Sequence, residues 1–122
     1  MMVVINMSDY EIYKSIDMDN IISIANKGGI NKDELELYGN YQAKVTKEAN
    51  SKKGKLVLVT STNPTPYGEG KTTLAIGLCD LLNKNGYKSI LALREPSLGP
   101  VFGTKGGACG GGMSQIVPMD NI

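Results

Sequence analysis

The residues with the clearest chemical role lie in a glycine-containing loop in the middle of the chain. Residues 64–73 read Pro-Thr-Pro-Tyr-Gly-Glu-Gly-Lys-Thr-Thr, so that Gly70-Lys71-Thr72 match the last three positions of the P-loop pattern. Thr65 stands where that pattern has its first glycine, and the strict pattern is therefore missed at one position. Such a loop aims backbone N–H groups at a phosphate, while its lysine reaches the β and γ phosphates and its threonine hydroxyl binds Mg²⁺. We expect Lys71 and Thr72 to take these two roles.

The whole loop is expected to contact the phosphates, although some of its residues have a less specific interpretation. Lys71 could be an ordinary lysine at a helix start. Glu69 fits a solvent-facing loop residue better than a general base, and Thr73 fits a helix residue better than a ligand. The residues expected to bind the phosphate-bearing cofactor are Thr65, Pro66, Tyr67, Gly68, Glu69, Gly70, Lys71 and Thr72.

A second cationic side chain follows the next apolar run. Arg94 comes directly after residues 89–93, Ser-Ile-Leu-Ala-Leu, which have the character of a buried strand. In an open parallel sheet, ligands bind beyond the carboxyl ends of the strands, so Arg94 and Lys71 are expected to face one pocket. A planar guanidinium holds a carboxylate or an acyl phosphate through two hydrogen bonds, although a salt bridge at a strand end is the simpler alternative. Lys71 and Arg94 are the expected catalytic residues.

Two strands and one helix must position these groups. Residues 56–59, Leu-Val-Leu-Val, form a continuous apolar run that is typical of a strand covered on both faces in a parallel sheet. Residues 71–85 have a helical apolar stripe, and Gly86 is expected to end that helix. The members of the stripe are Leu74, Ala75, Leu78, Leu81 and Leu82. The order strand, loop, helix, strand predicts an α/β fold with a P-loop NTPase-like parallel sheet and flanking helices, which is incomplete in this chain.

The first part of the chain carries no recognisable chemistry and is expected to form helices and polar turns. Ser8 is a candidate N-cap for a first helix. A second helix is expected over residues 18–26, with Asp17 as its N-cap and Gly28-Gly29 as its end.

Composition bounds the class of protein. The chain has 122 residues and a formal net charge of +1, which indicates neither a nucleic-acid partner nor an anionic membrane. It has no histidine, the commonest general base and metal ligand. No apolar run approaches the roughly 20 residues that span a bilayer, so a cytoplasmic location is expected.

Two segments are expected in the chain. We expect a helical lead-in segment at residues 1–54 and the first, truncated part of a P-loop nucleotide-binding domain at residues 55–122.

Three segments together resemble the formate–tetrahydrofolate ligase family, also called formyltetrahydrofolate synthetase. They are the phosphate loop at residues 64–73, the run Leu-Arg-Glu-Pro-Ser-Leu-Gly-Pro-Val-Phe-Gly at residues 93–103, and Lys-Gly-Gly-Ala at residues 105–108. The segments occur in the order found in that family, whose variant P-loop also carries a threonine at the position of Thr65. The resemblance extends over nearly all of residues 55–122.

The resemblance implies an ATP- and Mg²⁺-dependent reaction that joins formate to tetrahydrofolate and gives 10-formyltetrahydrofolate. Formate would attack the γ-phosphate to give formyl phosphate, and the folate N10 amine would then attack the formyl carbon. By position, Lys71 and Thr72 would serve the nucleotide phosphates and the metal, while Arg94 would hold formate and then formyl phosphate. Members of the family have several hundred residues and form homotetramers, so this chain is expected to be an amino-terminal fragment that is inactive alone.

Two other functions are compatible with the pattern. The chain could be a non-catalytic module that binds ATP or phosphate, or one half of a split enzyme. It could also be a P-loop enzyme of the dethiobiotin synthetase and partitioning-ATPase type, which shares the order strand, loop, helix, strand. The run Glu-Pro-Ser-Leu-Gly-Pro at residues 95–100 disfavours the latter class, which would normally present an aspartate where Arg94 or Glu95 stands.

Overall fold

The computed structural model describes residues 7–48, 54–63, 65–66, 68–94 and 109–118. Its helices and strands are α1 (Asp9–Ser15), α2 (Ile21–Gly28), β1 (Leu35–Tyr38), β2 (Gln42–Val45), α3 (Lys71–Lys84), β3 (Gly110–Gly111) and β4 (Ser114–Gln115). Contacts between residues divide the chain into two units. One is Met18–Leu58, and the other combines Met1–Asp17 with Val59–Ile122. The expected domain division after residue 54 stays a prediction.

Helix α1 begins as the sequence predicts and is tied to the β3–β4 hairpin. The Glu11 amide donates to Ser8 Oγ at 3.3 Å, and the Ser8 amide donates to Glu11 Oε2 at 2.7 Å, which completes a capping box. The Gly112 amide donates to Asp9 Oδ1 at 2.8 Å, and Gln115 Nε2 donates to the Asp9 carbonyl at 3.0 Å. These bonds fix the hairpin against the first turn of α1.

Helix α2 starts later than predicted. Its N-cap is Asn20, whose Oδ1 accepts from the Ile22 amide at 2.9 Å, whereas Asp17 was the expected cap. The amide of Ile21, the first residue after the N-cap, donates to the Asn40 carbonyl in the turn between β1 and β2. This tertiary contact helps to determine where the helix starts. The end is as predicted, because Gly29 adopts a left-handed conformation with φ 85° and closes the helix.

The strands β1 and β2 form an antiparallel hairpin that the sequence interpretation missed. Leu35 pairs with Val45 at one end of the ladder, and Gly39, with φ 73°, lies in the turn. A short 3₁₀ turn at Lys32–Glu34 leads into β1. The first 54 residues are therefore not helical throughout.

Helix α3 confirms the predicted helix after the phosphate loop, and Gly86, with φ 82°, follows its end. The burial of its side chains differs from the prediction. Ile76 is buried at 4% exposure, whereas Leu74 and Leu81 of the predicted apolar stripe are 63% and 57% exposed. The stripe was expected to pack against a parallel sheet, and the described residues supply no such sheet.

The two predicted parallel strands are not strands in the described part of the chain. Residues 56–59 and 89–93 lie outside any β-ladder, and Leu56, Leu58 and Ile90 are 92%, 78% and 68% exposed. Among the described residues, every strand pair belongs to one of two antiparallel two-stranded sheets. A continuous apolar strand needs neighbours on both sides and layers on both faces. The architecture is mixed helix and strand, compatible with an α/β class, and the described residues do not form the predicted P-loop-like parallel sheet.

An aspartate in the middle of α3 connects this helix to β4. Asp80 Oδ2 accepts from Ser114 Oγ at 2.7 Å and from Lys84 Nζ at 2.8 Å. These two hydrogen bonds, the one from Lys84 first, hold the pKa of Asp80 below its ordinary value. The carboxylate is therefore stabilised in its charged form in the folded chain.

Replacing Asp80 with asparagine is expected to lower the free energy of unfolding at pH 7 by up to about 1 kcal/mol, since solvent screens a partly exposed pair. A lowered folded-state pKa contributes stability above the unfolded value of about 3.9, and that stability is lost as the pH falls through the folded value. Urea titrations from pH 7 to pH 3 should show the gap between the two proteins narrowing below about pH 4. Asp17→Asn, at an exposed position, is the control and should show no such gap. A gap for Asp80→Asn that is the same at pH 7 and pH 3 would contradict the assignment.

Candidate functional site

The amino end of α3 presents backbone N–H groups that no side chain caps. Gly70 is the N-cap, with φ 71° and ψ 16°, and has no side chain with which to cap the helix. The first amide bonded within the helix is that of Leu74, which donates to the Gly70 carbonyl at 2.9 Å. The three preceding amides, of residues 71–73, therefore have no partner within the helix, and the helix dipole adds positive potential at this end. The arrangement suits an anion.

Lys71 is the first residue of α3, and its ammonium lies over the preceding loop. Its Nζ donates to Ser61 Oγ at 3.2 Å and forms an ion pair with the carboxylate of Glu69. The Lys71 side chain is 41% exposed, so an incoming anion has access to it.

Glu69 does not face solvent as the sequence interpretation expected. Its side chain is only 18% exposed, and its two oxygens accept from different donors. Oε2 accepts from the Lys71 ammonium, and Oε1 accepts from the backbone amide of Thr65. Lys71 first, and the Thr65 amide second, lower the pKa of Glu69 below its ordinary value. The carboxylate lies within the loop because the Lys71 ammonium and the Thr65 amide both present positive charge there.

Ser61 contacts the candidate site but was not singled out in the sequence. It lies two residues beyond the apolar run 56–59, at the end of an expected strand, where ligands gather in open parallel sheets. That position was a usable signal. A serine in a polar loop has so many other roles that its hydrogen bond to Lys71 becomes visible only in the structure.

The other predicted cofactor-binding residues have varied positions. Thr65, Pro66 and Gly68 are exposed in the loop, and Gly68 has φ 82° and donates its amide to the Thr65 carbonyl at 3.3 Å. Thr72 is half-buried in the first turn of α3, next to Lys71. Tyr67 lies outside the described residues. Their binding of a cofactor stays a prediction.

Arg94 is exposed, and no hydrogen bond or ion pair joins it to another described residue. The residues that follow it, 95–108, lie outside the described part of the chain. No contact between the guanidinium of Arg94 and the ammonium of Lys71 is observed. Their expected convergence on one pocket stays a prediction.

An open apolar groove begins at the phosphate loop and runs along α3. Its volume is about 650 Å³, and it is lined by Gly70, Thr73, Leu74, Gly77, Leu78 and Leu81. Within the described ranges, no helix is both long and apolar enough to cross a membrane.

Comparison with known proteins assigns the chain to a family. The family described as "Formate--tetrahydrofolate ligase" matches residues 7–122. The protein of that name from Campylobacter concisus (strain 13826) is 57% identical to the chain over 116 residues, which cover 95% of the chain and 21% of the relative. The chain thus spans about a fifth of the length of that curated relative. The family match extends over almost the whole chain, including the uncapped start of α3 and Lys71 in the first turn of that helix. The chain therefore belongs to the formate–tetrahydrofolate ligase family.

Proposed function

We propose that this chain supplies the phosphate-binding part of an ATP-dependent ligase that joins formate to tetrahydrofolate and gives 10-formyltetrahydrofolate through formyl phosphate. The observation that carries the proposal is the position of Lys71. Lys71 is the first residue of α3, and its amide is one of three that have no partner within the helix. A lysine and unpaired amides at a helix amino end suit the negative charge of a triphosphate.

The first step of the proposed chemistry depends on charge and position rather than on proton transfer. Formate is already an anion at neutral pH, so its attack on the γ-phosphate needs no general base. Lys71 would neutralise charge on the transferred phosphoryl group, and Arg94 would hold formate and then formyl phosphate through its planar guanidinium. ADP would leave when formate attacks the γ-phosphate. The N10 amine of tetrahydrofolate would then attack the formyl carbon, displace phosphate and lose its proton.

The described residues fit Mg²⁺ as part of a metal–nucleotide complex. Among them, no group of three or more His, Cys, Asp or Glu side chains could hold a metal ion. Mg²⁺ commonly keeps several waters and binds through substrate phosphates with one or two protein oxygens, so a dedicated cluster is unnecessary. The Thr72 hydroxyl, in the first turn of α3, is the proposed protein ligand. The metal would neutralise charge on the β and γ phosphates.

The rest of the proposal concerns the assembly. A parallel P-loop-like sheet would form when residues 56–59 and 89–93 gain neighbours, in a cytoplasmic homotetramer whose partners are small molecules.

One alternative function has a specific observation in its favour. The leucines of α3 and the run 56–59 are exposed. This exposure suits a non-catalytic phosphate-binding module or one half of a split enzyme, since a second chain would bury these apolar side chains.

Binding of Mg²⁺–ATP to this chain should depend on Lys71. Isothermal calorimetry should show affinity falling roughly ten- to a hundredfold in Lys71→Ala, as expected for the loss of a charge-assisted hydrogen bond to a phosphate. Lys88→Ala removes the same charge from an exposed position outside the loop and should bind as the parent chain does. Equal affinities for Lys71→Ala and the parent chain would refute the proposed phosphate site.

A further inference from the structure

Glu69 holds two of the groups that the proposed site offers to a phosphate. Its Oε2 accepts from the Lys71 ammonium, and its Oε1 accepts from the Thr65 amide at the opposite end of the loop. The two oxygens of one carboxylate thus bridge the loop as two oxygens of a phosphate would. Both donors belong to the span expected to bind a nucleotide, residues 65–72.

The position of Glu69 between two glycines accounts for this placement. Gly68 and Gly70 have φ angles of 82° and 71°, so the backbone turns in the left-handed region on both sides of the glutamate. A Cβ at either glycine would meet no atom within 4 Å, which shows that the glycines serve the backbone turn rather than a close approach. The turn directs the Glu69 side chain inward, where its exposure falls to 18%.

We propose that the Glu69 carboxylate is an internal competitor for the phosphate site, which an incoming polyphosphate must displace before the loop can bind it. The proposal rests on the proposed function of this loop. The Thr65 amide has a single hydrogen, so it cannot donate to Glu69 and to a phosphate at once. Lys71 has three donors, but a carboxylate and a phosphate held by the same ammonium repel each other. The apparent affinity is therefore the intrinsic affinity multiplied by the fraction of molecules in which Glu69 does not occupy the loop.

A supporting role for Glu69 would have the opposite consequence. If the carboxylate served to aim Lys71 at the phosphate, its removal would leave the ammonium free to turn away and would weaken binding. The sign of the change in affinity therefore distinguishes competition from positioning.

The test is calorimetric titration of inorganic tripolyphosphate, without metal, into the parent chain, Glu69→Gln and Glu69→Ala at fixed pH and ionic strength. Competition predicts a gain in affinity of roughly two- to fivefold in both variants, the range expected for losing a partly exposed ion pair. Alanine matters because glutamine could itself donate to the phosphate. A gain confined to Glu69→Gln would therefore overturn the proposal, as would unchanged or weaker binding in both variants.

Two controls separate this proposal from the one on which it rests. Glu36→Gln removes one negative charge from the β1–β2 hairpin, where the carboxylate lies 3.9 Å from Lys44, and should not change the affinity. In a Lys71→Ala background the gain from Glu69→Ala should shrink, since the carboxylate no longer shares the ammonium with the ligand. Binding that depends on Lys71 but is not improved by Glu69→Ala would refute competition and leave the phosphate site standing. Absence of binding in the parent chain and in every variant would refute both.

Discussion

Replacing Gly110 with alanine is expected to disrupt the β3–β4 hairpin and to lower the free energy of unfolding by about 2–4 kcal/mol. Gly110 has φ 92°, which L side chains rarely adopt. A Cβ there would lie 2.3 Å from the backbone carbonyl oxygen of Ser114 and 3.2 Å from Cγ2 of Ile76. The carbonyl cannot move aside as a flexible side chain could, because it belongs to the partner strand of the hairpin. Alanine would therefore separate β3 from β4.

The matched control is Gly112→Ala in the same hairpin. Gly112 has φ 56°, and a Cβ there would meet no atom within 4 Å, so the substitution adds backbone strain of about 1–2 kcal/mol without a clash. Urea denaturation should rank Gly110→Ala clearly below Gly112→Ala. Hydrogen exchange offers a local readout, because the Ile116 amide donates to the Cys109 carbonyl at 2.8 Å and should lose protection in Gly110→Ala. Equal destabilisation by the two substitutions would show that the close approach to Ser114 is not what Gly110 provides.

Local chemistry in the sequence was enough to place the ends of helices. Ser8 was predicted as the N-cap of the first helix, and the structure confirms it, with a capping box whose two hydrogen bonds join Ser8 and Glu11, three residues apart. Gly86 follows α3 as predicted, since only local backbone geometry is involved. The N-cap of α2 was predicted wrongly, at Asp17 instead of Asn20. There the choice depends partly on Asn40, which lies far along the chain.

Strands were predicted less well, because a strand depends on its partners. The β1–β2 hairpin was missed, although its ladder joins residues close in sequence, because its four-residue strands carry a weak pattern. Residues 56–59 show the opposite case. Their apolar run predicts a buried strand, and no partner strand pairs with them among the described residues. Sequence records the preference, whereas pairing requires the rest of a sheet.

The candidate site shows the same division between local and long-range information. The positions of Gly70 and Lys71 at the helix start followed from the loop pattern, because that pattern describes the local backbone of a loop that leads into a helix. The hydrogen bond from Lys71 to Ser61 spans ten residues, and the sequence could not indicate it. The inward turn of Glu69 was also missed, since an isolated glutamate in a polar loop is normally hydrated.

Several large apolar side chains on both the helix and the run before the loop are exposed to solvent. Leu74 and Leu81 lie along the groove on α3 that begins at Gly70, the N-cap beside the phosphate loop. Leu56 and Leu58 precede that loop in the sequence and are 92% and 78% exposed. Burial of large aliphatic side chains is worth roughly 1.5–3 kcal/mol each, so covering them would add order to both sides of the loop. Phosphoryl transfer depends on fixed positions, and a loop that lacks this support would hold its groups loosely.

Residues 1–122 alone are therefore expected to form no 10-formyltetrahydrofolate from ATP, formate and tetrahydrofolate, even where they bind ATP. The reason is positional, because a misplacement of about 1 Å can cost two orders of magnitude in rate. The measurement is an absorbance assay for the formylated folate, with the full-length ligase from Campylobacter concisus as the positive control under identical conditions. ATP-dependent product from residues 1–122 that disappears in Lys71→Ala would contradict this prediction, whereas product that persists in Lys71→Ala would indicate a contaminating ligase. The expected result, Lys71-dependent binding of ATP without turnover, would show that these residues bind phosphate without the rest of a ligase but do not catalyse the reaction.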